Sequence, residues 1–99
     1  MDHKGYELVE IARKSGKIKK GTNEATKMVE RGTAKAIVYA ADVTPKEIIM
    51  HIPLLAKERG ILCIEVPSKE ELGAAAGLTK PTAAVAIMDA GDAKGLLKE

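Results

Sequence analysis

Apolar residues recur along this chain with two periods, and the periods alternate. In "YELVEIARKSG" (6–16) Leu8, Ile11 and Ala12 fall at helical spacing and Gly16 closes the pattern. In "TNEATKMVERG" (22–32) the same spacing puts Ala25, Met28 and Val29 on one face, with Thr22 as the expected cap and Gly32 just past the end. A third helix is marked by Thr44, Pro45 and Glu47 as cap, first-turn proline and reciprocal acid, with Ile48, Ile49, Ile52 and Leu55 as its apolar face. Pro53 lies inside that pattern and predicts a kink or a tightened turn. "SKEELGAAAG" (68–77) reads as a short helix with a capping box of Ser68 and Glu71 and with Gly77 as terminator, and "DAKGLLKE" (92–99) as a marginal final helix.

Between these stand short apolar runs bounded by turn residues. "AIVYAA" (36–41), "ILCIEV" (61–66) and "TAAVAIM" (82–88) are expected to be inner strands, and "KIKKG" (17–21) a short edge strand with a basic outward face. Helices alternating with short strands predict an α/β sandwich, with helices on both faces of a small sheet. The small residues of "GAAAG" and "TAAVA" imply close approach of helix to sheet. With 99 residues, 45% of them hydrophobic, the chain suits one compact domain over residues 1–99 and is too apolar for disorder. There is no internal repeat or linker.

Charge changes the picture by its distribution, since the net value of +2 is small. Residues 13–27 hold Arg13, Lys14, Lys17, Lys19, Lys20 and Lys27 against Glu24 alone, a local +5, while residues 1–12 sum to −2 and the remainder to −1. One basic edge on a nearly neutral body favours a polyanion as partner. The segment "GKIKKGTNEATK" (16–27) invites comparison with a phosphate-binding loop. Gly21, however, is followed by Thr22 and Asn23 where that loop needs Lys and then Ser or Thr.

Catalytic chemistry finds little to work with. His51 and Cys63 are the only pair able to imitate a thiol and imidazole, and Cys63 lies in an apolar strand where thiols are usually inert. No metal-ligand cluster, disulfide framework or cofactor motif occurs, so neither a metal nor a cofactor is expected. A lone structural cysteine, no leader pattern and no apolar stretch of eighteen residues fit a reducing, cytoplasmic setting without a membrane. Nucleic-acid binding becomes the leading class. Tyr6 and Tyr39 are the only aromatic residues, which argues against a stacking platform for single strands and for recognition of folded RNA.

A cap at Thr22 lets Asn23, Glu24 and Lys27 share one exposed helix face. Each has a bland role as turn residue, dipole partner or solvated charge. Together they form a reading head: Lys27 and the helix N-terminus hold phosphates, and Asn23 both donates and accepts against a base edge. Glu24 would repel a backbone but suits the donor edge of a guanine.

The ordered set "KKGTNEATK", "HIPLLAKE", "VPSKEELG" and "AAGLTKP" resembles, over residues 14 to 88, the kink-turn RNA-binding family that includes the archaeal ribosomal protein L-seven-Ae. The resemblance implies a three-layer α-β-α sandwich with a small mixed four-stranded sheet and a protein that is not an enzyme, and a monomer bound to RNA is the default expectation. It implies binding to kink-turn RNA with tandem sheared G·A pairs in ribosomal RNA, in box C/D and H/ACA guide RNAs and in RNase P RNA. Fibrillarin and its Nop-domain scaffold are the implied protein partners. By position, Gly21 and Thr22 shape the turn, Asn23 and Glu24 read guanines, and Lys19, Lys20 and Lys27 meet phosphates. In the loop Gly77–Pro81, Leu78 is implied to meet a flipped-out base with Lys80 and Pro81 beside it, and Ile48 to pack near the same site. Thr44 departs from the Asp or Glu common there in the family, and the N-terminal segment looks abbreviated. A divergent structural or protein-interaction module, with little RNA specificity of its own, is the alternative.

Overall fold

The structure, a computed structural model, describes residues 4–42, 47–89 and 91, with the side chains of residue 4 and residues 47–49 outside that description. Its elements in order are α1 (Lys4–Ser15), β1 (Lys17–Lys20), α2 (Thr22–Glu30), β2 (Ala36–Ala40), α3 (Glu47–Glu58), β3 (Leu62–Val66), α4 (Lys69–Ala75) and β4 (Ala84–Asp89). The expected cap of α3 at Thr44 and Pro45 and the expected helix over 92–99 lie outside the described residues. The four strands form one mixed sheet in the order β1-β4-β2-β3, with β2 and β3 parallel and the other pairs antiparallel. Helices α1 and α4 pack together on one face and α2 and α3 on the other. The expected α-β-α layering is what the chain adopts.

The two central strands explain the continuous apolar runs. Strands β2 and β4 are covered on both faces, so Ala36, Ile37, Val38, Ala84, Val85, Ala86 and Ile87 are all buried. Leu8 and Val9 of α1, Val29 of α2, Ile52 of α3 and Leu72 of α4 fill the same core from the helices. Each such side chain contributes roughly 1.5–3 kcal/mol by leaving water. Pro53 lies inside α3 without ending it.

One strand differs from expectation. The run 61–66 predicted an inner strand, yet among the described residues β3 pairs only with β2 and forms an edge of the sheet. Its apolar character comes from α1 and α3, which cover its two faces. Periodicity reports covered faces, whereas edge or centre depends on the hydrogen-bonding direction.

Helix α4 is held by α1 at both ends. The Tyr6 hydroxyl accepts the Ser68 amide at 2.9 Å, and Arg13 Nε donates to the Ala75 carbonyl at 3.2 Å. Residues 6 and 13 are two helical turns apart, so α1 and α4 run parallel. The Ser68 capping box is half formed: Ser68 Oγ accepts the Glu71 amide at 3.2 Å, but Tyr6 takes the Ser68 amide that the box assigns to Glu71. Asp42 adds a bond from outside, its Oδ1 accepting the Lys69 amide at 2.9 Å.

Candidate nucleic-acid interface

At one end of the sheet, β1 stops, β4 begins and the parallel strands β2 and β3 have their carboxyl ends. Three backbone bonds tie this end together: Gly21 N–H to the Ala84 carbonyl at 2.9 Å, Ala40 N–H to Ala83 at 2.8 Å, and Ala41 N–H to Val66 at 2.8 Å. Carboxyl ends of parallel strands are where open α/β sheets commonly bind ligands.

Helix α2 starts here, and not as the sequence suggested. The capping position is Gly21, with φ 102° and ψ 151° and no side-chain cap bond, and Thr22 is the first helical residue. That backbone conformation is one L-residues avoid, which explains why a glycine precedes the helix where a threonine cap was expected. The consequence is chemical. Among the described residues no side chain occupies the amides of the first turn, which have no intrahelical acceptors, so the positive end of α2 is available to an anion.

The side chains around this helix start divide by exposure. Lys19 and Lys20 on β1 are exposed, as are Asn23 and Lys27 on α2, while Glu24 is half-buried. Thr22, Asn23, Thr26 and Lys27 line an open concavity of about 490 Å³ with His51 of α3 as its far wall. Sequence reasoning had given His51 no place here and had passed over Thr26. The Thr26 hydroxyl donates to the Thr22 carbonyl at 2.8 Å and lies 3.1 Å from His51 Nε2. A hydroxyl has one proton to give, so with that proton directed at Thr22 the imidazole completes the pair as the Nε2–H donor.

The segment 77–83 returns along α4 to the same end. Leu78 N–H donates to the Gly73 carbonyl at 2.9 Å, and Thr82 N–H donates to the Lys69 carbonyl at 3.1 Å. Between them the chain presses on the helix so closely that a Cβ at Gly73 would sit 2.3 Å from the Lys80 carbonyl oxygen. Leu78 is half-buried against the core, Lys80 and Pro81 are exposed, and with Glu70, Ala74 and Thr79 they line a depression of about 150 Å³. The Ile48 side chain lies outside the described residues. Buried Thr82, which the sequence did not single out, donates its hydroxyl to the Ala84 carbonyl at 3.3 Å, the same oxygen that receives Gly21 N–H. One carbonyl thus joins the start of α2 to the end of the 77–83 segment.

Other predicted residues fall elsewhere. Arg13, counted in the basic stretch, is committed to the C-terminal end of α4. Cys63 is half-buried, and burial first, then the Glu65 carboxylate, push its thiol up to about 11. A thiol so raised stays protonated near neutrality, against the nucleophile its pairing with His51 would require. Among the described residues no group of His, Cys, Asp or Glu could hold a metal ion, and no helix is long and apolar enough to cross a membrane.

Residues 3–97 match the Ribosomal protein L7Ae/L30e/S12e/Gadd45 family. The chain belongs to this family. Within it, the chain is 53% identical over 93 residues to "Large ribosomal subunit protein eL8" of Nitrosopumilus maritimus (strain SCM1), covering 94% of this chain and 73% of that protein. The fold is similar to that of the Giardia lamblia 15.5kD RNA binding protein, with a TM-score of 0.87 and 33% identity over 95% of this chain and 78% of that one. Family membership also decides the catalytic question, since L7Ae proteins are a non-enzyme family and this chain is not an enzyme.

Proposed function

We propose that the protein binds RNA and recognises kink-turns through the sheet end described above, stabilising the bend and nucleating assembly of larger ribonucleoproteins. In this reading the open amides of α2, with Lys19, Lys20 and Lys27, hold phosphates. Asn23 and Glu24 read guanine edges of tandem sheared G·A pairs. Leu78 offers an apolar surface to an unstacked base, with Lys80 and Pro81 beside it and Ile48 nearby. The observation that supports it most is the shared Ala84 carbonyl, which brings two segments some sixty residues apart to one surface. Similarity to a large-subunit ribosomal protein and to an RNA-binding protein supports the ligand class. The same site suits ribosomal RNA, box C/D and H/ACA guide RNAs and RNase P RNA, and proteins of those assemblies, such as fibrillarin and its Nop-domain scaffold, would join once the RNA is bent.

Calorimetry at one stated salt concentration tests this. A short kink-turn RNA is compared with the same RNA carrying Watson–Crick pairs in place of both sheared G·A pairs. Tight binding to the first and a loss of about a hundredfold on the second, the size of one to two lost base readings, is the expected result. Equal weak binding to both would favour a protein-interaction module. Met50 and Leu54, 60% and 68% exposed on α3, are the observation on that side.

A further inference from the structure

We infer that His51 is a positioning residue for the first turn of α2, acting through Thr26, an inference that rests on the kink-turn reading. Most helix starts are fixed by a capping side chain, and Gly21 supplies none. Open amides serve recognition only if their direction is held, so the turn must be secured from another side. Thr26 is one turn into the helix, and its hydroxyl returns to the Thr22 carbonyl at 2.8 Å. Threonine in a helix divides between two side-chain rotamers. The bond from His51 Nε2 at 3.1 Å selects the rotamer that reaches Thr22.

The platform behind His51 is firm. Ile52 and Ala56 of α3 are fully buried, so the helix that carries the imidazole is anchored in the core. His51 therefore transmits the placement of α3 to the residues on either side of Thr26, where Asn23 and Lys27 line the same concavity. The bond itself is exposed and adds little to global stability. Its effect belongs in recognition, in the choice between a bent RNA and any other.

The test uses the full chain and four variants: His51→Ala, His51→Gln, Thr26→Val, and His51→Ala combined with Thr26→Val. Binding to the kink-turn RNA and to its Watson–Crick control is measured beside Tm and the amide resonances of the free protein. The expected result is a loss of about three- to tenfold on the kink-turn for His51→Ala and for Thr26→Val, the size of one hydrogen bond. The combined variant loses no more than either alone, because both break one relay. Binding to the control and the Tm stay unchanged. His51→Gln restores affinity, since its amide can donate where Nε2–H did.

Full affinity of His51→Ala, or additive losses in the combined variant, would overturn the relay. Failure of His51→Gln to rescue would also overturn it and assign the imidazole to direct RNA contact. If the unaltered protein shows no preference for the kink-turn, the underlying reading fails instead. The positioning role is then decided by the resonances of Thr22, Asn23 and Glu24, expected to shift in His51→Ala and to return in His51→Gln.

Discussion

Glu24 and Lys27 stand one helical turn apart at the start of α2 and are assigned different work, which makes them separable by measurement. Glu24→Gln keeps shape and removes charge, so binding to kink-turn RNA should weaken by about 1–3 kcal/mol, the scale of a base contact in DNA, with the control RNA unaffected. Equal weakening on both would remove Glu24 from base reading. Lys27→Ala should weaken every RNA alike and lower the slope of log K against log salt by about one. Cys63 answers to a different variable. Its pKa rises from 9.0 to about 11 on folding, by burial and then Glu65, so the folded state holds its proton more tightly. Tyr6 and Tyr39 are raised as well, both chiefly by burial, with Glu71 and Asp42 adding to Tyr6 against the bond from Ser68, and Cys63 and Glu65 adding to Tyr39. For groups raised on folding, stability is whole below the unfolded pKa and falls as pH climbs toward the folded one. Denaturant midpoints should therefore hold through neutrality and decline from about pH 9 to 11, less steeply in Cys63→Ser.

Among the elements, α4 and the segment folded back on it meet backbone against backbone. Ala in place of Gly73 would gain about 1 kcal/mol in helix propensity. Its Cβ would meet backbone, the Lys80 carbonyl oxygen at 2.3 Å, which no side-chain rotation relieves. Overpacking of this kind costs about 1–3 kcal/mol, so Gly73→Ala should lower Tm, at about 4–8 °C for each kcal/mol of net loss. It should also weaken kink-turn binding by shifting Leu78 and Lys80. A Tm equal to or above that of the unaltered chain would show the segment free to yield. This contact was not legible in the sequence, where "GAAAG" was read as close approach to the sheet, whereas Gly73 meets the backbone of Lys80 and Pro81. What the sequence carried well were the helix ends and buried faces. Gly32 and Gly77 stand past their helices with φ 70° and 81°, and Ala25, Met28 and Val29 face inward as spaced. It misled where two local devices compete for one job. Thr22 has the stronger capping chemistry, but the chain leaves β1 through Gly21 at a φ only glycine tolerates easily. His51 was read only beside Cys63 and Asp42 not at all, because their partners are 25 and 27 residues away, and Thr82 was silent because the Ala84 carbonyl it reaches is shared with distant Gly21.

For the molecule as a whole, the proposed binding surface and the core share one framework. A ligand engaging α2 and the 77–83 segment together stabilises the folded chain by mass action. Kink-turn RNA at a hundred times its Kd should add about 2.7 kcal/mol, read as a rise in Tm by calorimetry. The Watson–Crick control at the same concentration should leave Tm nearly where it was. The sheet order has a last consequence, for the chain while it is being made. Among the described residues strand β1 has β4 as its one neighbour, and Gly21 has the Ala84 carbonyl as its acceptor. The nascent polypeptide therefore carries its lysines and "GTNEATK" into solution early, but without the partner that fixes their geometry. In the proposed reading that geometry is complete only once residues 84–89 have been made and β4 pairs with β1 and β2. A chain that stops short of residue 84 has the basic stretch without the strand and the Ala84 carbonyl that position it.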